Sequence, residues 1–194
     1  MPTIFTHAVA AGTFARAACA GPARSYQLPP WTVPVAAACA MLPDADVVAF
    51  SLGVPYDSLL GHRGLTHSIA AAALLAAAIV AARSRDLAPR DRRALWAILA
   101  MATLSHGLLD TLTDGGRGVA LLAPFDSHRF FCPWRPIAVS PIGGSFFTAR
   151  TSDGAFRWVG VLASEVIWIW VPALLIRTLA GWRRRATIGP SLRA

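Results

Sequence analysis

The chain has 194 residues, of which 55% are hydrophobic and only 14% charged, and its mean hydropathy is +0.51. A soluble domain carries about 25% charged residues, so this composition excludes a disordered or collagen-like chain, argues against an ordinary soluble enzyme and fits a membrane protein. Eighteen basic residues, all arginine, against ten acidic ones give a net charge of +8; on so apolar a chain this reports cytoplasmic loops rather than a nucleic-acid partner, and none is expected.

Residues 4–20 are apolar and small, interrupted by His7 and Arg16. They resemble a signal peptide only weakly, because no basic residue precedes the apolar stretch, and the segment is expected to be retained. A Pro-rich stretch leads to a second apolar segment, 31–52, interrupted by Pro43-Asp44-Ala45-Asp46. These two segments are the weaker ones, and a partly inserted amphipathic helix is the alternative for either. After a turn-rich stretch from Gly53 to Gly64, residues 66–82 are almost wholly Ala, Leu, Ile and Val, a strong helix pattern. Arg83 to Arg93 holds five arginines, and 94–113 is the next helix. From 114 to 157 no helical period is visible, which reads as an extramembrane loop. Residues 158–180 are apolar and Trp-rich, followed by Arg183-Arg184-Arg185. The three cysteines are scattered and read as packing residues, with no disulfide framework.

The expected fold is an all-α polytopic membrane bundle of about five helices, one unit over 1–194 with one long outer loop. Three arginine clusters, 16–24, 83–93 and 183–185, then lie on one side of the membrane. The positive-inside rule makes that side cytoplasmic, with the N-terminus out and the C-terminus in.

Ionisable residues within membrane segments are costly and point to function. Here they are His7, Asp44, Asp46, His67, His106, Asp110 and Glu165, with His62 just before the third helix. In this topology each sits near the outer end of its helix. His106 and Asp110 are four apart and share a helical face. His62 and His67 would diverge by roughly 140° on a helix, so His62 belongs in the loop, where Gly61 and Gly64 give freedom and Thr66 caps the following helix. Pro43 breaks the helix before the two aspartates. Imidazoles with carboxylates suit a divalent transition metal, zinc or alternatively manganese or iron, with an open position that activates water. Arg63, Arg117, Arg129 and Arg135 suit a phosphate or carboxylate nearby.

In order along the chain stand Thr6-His7, Met41-Leu42-Pro43-Asp44-Ala45-Asp46, Gly61-His62-Arg63-Gly64-Leu65-Thr66-His67-Ser68 and Ser105-His106-Gly107-Leu108-Leu109-Asp110. Further on come Thr113-Asp114-Gly115-Gly116, Arg129-Phe130-Phe131, Val139-Ser140-Pro141-Ile142 and Ser164-Glu165. This series resembles the bacterial inner-membrane-bound, metal-dependent hydrolase family of YdjM/YbcI type, some members of which are described as LexA-regulated. More distantly, the His–Asp–His–HxxxD order resembles zinc-dependent phospholipase C and the P1-type nucleases. That likeness implies His7 as an N-terminal ligand, while the lack of a second HxxxD/E makes one or two metal ions the expectation rather than three.

The combined expectation is a metal-dependent hydrolase of the inner membrane with its site on the periplasmic side. His7, Asp46, His62, His67, His106 and Asp110 are the expected ligands. Asp44 or Glu165 is the expected base and Arg63 the anion clamp. The substrate is expected to be an ester or phosphoester, such as a phospholipid or envelope molecule, with membrane lipids as partners; oligomeric state is left open. The rival is a non-catalytic metal-binding, transport or regulatory protein. The nearly all-apolar stretches 70–82 and 94–103 give a transporter no polar path.

Overall fold

In the computed structural model residues 1–20, 26–141 and 145–187 are described, and among them only isolated bridges, no strands, accompany the helices. Helix α1 covers Ile4–Ala20. Helix α2, Thr32–Cys39, is followed by a 3-10 helix over Leu42–Val47 and a single turn, α3, Val48–Ser51. Pro43 lies in the first turn of the 3-10 segment, where its missing N–H costs nothing, so the helix pattern is broken there as the sequence suggests.

A second 3-10 turn, Leu65–His67, precedes α4, Ile69–Arg83. The cap of α4 is Ser68, whose hydroxyl accepts from the Ala71 N–H at 3.0 Å. Thr66, expected as the cap, instead donates to Asp46 at 2.7 Å. Helix α5 runs over Pro89–Thr111 and begins earlier than the hydropathy implies, because Pro89 is pre-shaped for a first helical turn. Three of the five arginines assigned to a loop therefore sit on α5 itself. The long loop holds one turn of helix, α6, Ser145–Thr148. The last segment is α7, Arg157–Glu165, a π turn over Val166–Trp170 and α8, Val171–Thr187. Among the described residues three helical stretches are long and apolar enough to cross a membrane: Thr32–Ser51, Pro89–Thr111 and Arg157–Leu179. Ile69–Arg83 is apolar but shorter.

Helices α1, α2, α4 and α5 pack together, and the last helix lies against α1. Their seam is built from Ala11, Ala15, Ala36, Ala40, Ala76 and Ala102, all fully buried around Leu95 and Leu99. Alanine at such a seam lets helix axes approach closely, the packing mode open to helices in lipid, where apolar burial alone drives little association. The outward faces stay apolar: Leu74 on α4 and Ile167, Leu174, Leu175 and Ile176 on the last helix are exposed. The three cysteines are free, Cys39 buried and Cys19 exposed, so Cys19 is not the packing residue expected.

Candidate metal centre

The polar residues gather where the 3-10 segment after α2, the turn before α4 and the last turns of α5 meet beside the start of α1. Gly107 makes the approach possible: a Cβ there would lie 2.6 Å from the His67 carbonyl oxygen. Gly61 and Gly64 act likewise, since their Cβ atoms would come within 2.2 Å of the Pro55 oxygen and 2.3 Å of the Leu59 oxygen. The left-handed backbone in this turn belongs instead to Arg63, at φ 62°, a strain of about 1–3 kcal/mol for a side-chain-bearing residue. Arg63 is held there by its N–H on Asp46 Oδ2 and by its guanidinium, which meets Asp110 Oδ2 at 3.0 Å, Thr113 Oγ1 at 3.1 Å and the Gly115 oxygen at 3.1 Å.

Asp44, His67, His106 and Asp110 each offer a ligand atom within 4.8 Å of the others, and all four are buried. His67 Nε2 and His106 Nε2 are 3.0 Å apart. Asp44 Oδ1 lies 3.2 Å from His106 Nε2 and 3.7 Å from His67 Nε2. Asp110 Oδ2 lies 3.5 Å from His67 Nε2. Two nitrogen donors on one tetrahedral zinc ion, each at about 2.0–2.1 Å, would stand about 3.3 Å apart, so the donor set fits a single ion. His106 Nδ1 is 2.6 Å from the Ala40 carbonyl, to which it donates. That fixes the tautomer and turns the Nε2 lone pair toward the carboxylates.

His7 stands at the edge of this group. Its ring stacks on His106 with centroids 3.7 Å apart, and its Nε2 is 3.7 Å from Asp110 Oδ1. Both nitrogens of His7 and both oxygens of Asp44 and of Asp110 are buried without a hydrogen-bond partner. Buried polar atoms are nearly always partnered, and buried charges are paired or bind metal. The guanidinium of Arg63 balances part of the carboxylate charge and leaves the rest facing the two histidines.

Asp46 and His62 form a second group with the other edge of His67, and here the donors are taken up. Asp46 Oδ1 lies 2.6 Å from His62 Nδ1. Its Oδ2 accepts from Thr66 Oγ1 and lies 3.2 Å from His67 Nδ1. His67 thus carries Asp46 on one nitrogen and faces the inner group with the other, the arrangement in which a carboxylate orients a metal-binding imidazole. His67 lies outside the long apolar helices. Burial works against its charge, but the neighbouring carboxylates of Asp110, Asp44 and Asp46 outweigh burial and raise its pKa to about 10.

The expected residues fall into two groups, each of which could hold a metal ion. Asp44, expected as a base, stands within the inner donor group, while Asp46 and His62, expected as ligands, form the outer one. Arg63, expected as an open anion clamp, is 1% exposed and points at Asp110. Glu165, the other expected base, is on a separate site: its carboxylate accepts from Thr3 N at 2.5 Å, Thr3 Oγ1 at 2.7 Å and Thr6 Oγ1 at 2.7 Å. It tethers the start of α1 to α7. Arg129, read as a substrate hint, instead donates to the backbone oxygens of His62 at 3.1 Å and Tyr56 at 2.9 Å, latching the turn that carries His62 and Arg63. Two contributors had no sequence signal of this kind: the Ala40 carbonyl is a backbone group, and Thr113 is one hydroxyl among many.

The model of the YdjM inner membrane protein family matches residues 1–186. The chain belongs to this family. The inner membrane protein YbcI of Escherichia coli (strain K12) is 38% identical over 186 residues, which cover 95% of this chain and 100% of that one. No solved structure matches. Membership in the YdjM family, with three helices long and apolar enough to span, places the chain in the inner membrane. Its buried His/Asp group can hold a metal ion.

Proposed function

We propose that this YdjM-family protein is a membrane-bound, metal-dependent hydrolase acting on an ester or phosphoester of a lipid or envelope molecule. The observation that carries the reading is the inner group: Asp44, His67, His106 and Asp110 converge as a buried cluster, and neither carboxylate accepts a hydrogen bond, Asp110 having its ion pair with Arg63. Mixed imidazole and carboxylate donors suit zinc, with manganese or iron as alternatives. One ion is the number that the donor satisfaction supports. When bound, such an ion supplies Lewis acidity and a water of lowered pKa.

The chain's own residues supply the rest. Asp44 is the proposed general base: Oδ1 faces the two histidines, and Oδ2, also unpartnered, is left to take a proton from water. Asp46 holds the His67 ring, and Arg63 holds Asp110. His7 is a further donor or proton acceptor beside Asp110. Leu42 and Leu60, each two residues before a site residue, are 50% and 64% exposed, and Phe125 is 90% exposed. Leu42 and Leu60, on site-bearing turns, and Phe125, on the loop after α5, support a lipid substrate. The arginine clusters support the orientation proposed from the sequence, with five helices, the site on the periplasmic side and the C-terminus in the cytoplasm.

The test is metal analysis of protein purified in mild detergent, followed by assay on a phosphodiester and on phospholipid vesicles. Bound transition metal near one ion per chain and hydrolysis lost in Asp44→Asn support the reading. Well-folded protein that neither retains nor takes up zinc, manganese or iron overturns it. Metal without hydrolysis of either substrate favours the rival, a metal-binding or regulatory role.

A further inference from the structure

Between α1 and the last helix lies a two-part groove that starts beside Ala8 and Val9 and runs along α1 to Arg16. One part, about 210 Å³, is lined among others by Arg16 and Arg177. The other, about 380 Å³, is lined by Trp170 and Leu174 and shares Val9, Thr13 and Arg177 with the first, so the two are continuous. The π turn Val166–Trp170 lies at its upper edge, and such turns often mark functional surfaces. Arg16 stands nine residues beyond His7, about 14 Å along α1, so the arginine end of the groove is distinct from the metal centre, while its other end reaches Ala8 and Val9.

Two features select the occupant. Neither Arg16 nor Arg177 has a hydrogen bond or ion pair among the described residues, and no acidic residue lines either part of the groove. Both side chains are exposed, and like charges brought to one cleft repel unless an anion joins them. Apart from Thr13 the rest of the lining is apolar and runs along the helix axis. An anion alone would leave that length unfilled, and a neutral lipid would leave two guanidiniums uncompensated.

We propose that the groove binds one anionic phospholipid, its phosphate between Arg16 and Arg177 and an acyl chain along Val9, Trp170 and Leu174. Basic pockets between membrane helices recognise anionic headgroups in this way, and guanidinium matches phosphate in a bidentate fashion. The site does not rest on the hydrolase reading.

The experiment uses the full chain in neutral detergent, with lipid retention read by native mass spectrometry. Wild-type protein should retain dioleoyl-phosphatidylglycerol over dioleoyl-phosphatidylcholine by roughly tenfold, and free glycerol phosphate should not compete at the same concentration. The double variant Arg16→Gln, Arg177→Gln should lose the preference while its elution volume and helical circular dichroism stay unchanged. A photoactivatable phosphatidylglycerol should crosslink to wild-type peptides from α1 and α8. Equal retention of the two lipids by wild type overturns the proposal, as does an unchanged preference in a folded double variant. Crosslinks confined to other helices overturn it without needing any substitution, and effective competition by glycerol phosphate would make this a phosphate site instead.

Discussion

Two groups of the same residue types share His67 and differ in one respect. In the outer group each oxygen of Asp46 is matched to a donor, from His62, Thr66 or His67. In the inner group the oxygens of Asp44 and Asp110 accept no hydrogen bond, Asp110 having its ion pair with Arg63, and they face two imidazoles. Residue type and spacing alone would make both groups metal sites. Hydrogen-bond satisfaction separates them: under the proposed function the inner group holds the cation and the outer one positions its neighbour.

The largest expected effect comes from the inner group. His106→Ala should lower metal affinity by more than about 100-fold, beyond what loss of an orienting partner does, and abolish hydrolysis; metal titration of the purified variant checks it. Retention of wild-type affinity would remove the distinction between the groups. Asp46→Asn should weaken metal binding by about 10–100-fold, the range for a residue that orients a ligand. If Asp46→Asn instead lost the ion as completely as His106→Ala, Asp46 would be a ligand and the comparison would collapse.

A smaller effect sharpens the same comparison through pH. Without an ion His67 carries a proton, its pKa standing at about 10 against an ordinary 6.5, and a metal at Nε2 must displace that proton. Apparent metal affinity should therefore rise about tenfold per pH unit between about pH 7 and pH 9. A flat profile in that window would mean that the ion binds elsewhere. Stability of the ion-free protein has the opposite sign: the contribution of the raised pKa is complete below about 6.5 and fades as pH rises through about 10.

The smallest effect on the metal is expected at Glu165. Glu165→Gln weakens the tether to Thr3 and Thr6 and should cost about 1–3 kcal/mol of stability, read as a lower Tm, with metal content unchanged. A loss of metal at unchanged Tm would return Glu165 to the site.

Much of the fold was legible because helical hydropathy is local. The segments 4–20, 66–82 and 158–180 correspond closely to α1, α4 and the last helix, and Pro43 marked the break after α2. Boundaries shifted where capping chemistry outweighed hydropathy, as Ser68 did for α4 and Pro89 for α5. The four-residue spacing of His106 and Asp110 placed both on one face because α5 is regular there. The roles of Asp44 and Asp46 were not legible in the same way. They lie two residues apart on a 3-10 segment with three residues per turn, so their side chains leave in directions about 120° apart. Which of them turns toward α5 depends on how that segment is docked.

By itself the sequence determined the class of the molecule and the inventory of its site. A chain this apolar with so few charges points to helices in a bilayer, and histidines and aspartates within its apolar segments point to a site. Only the tertiary structure decided what each one does. Asp44 came to face His106, Asp46 to hold His67, Arg63 to be buried against Asp110, and Glu165 to tie α1 to α7. The reason is physical: a carboxylate's role depends on which donors lie within about 3 Å of it, and those donors arrive from segments far away in sequence.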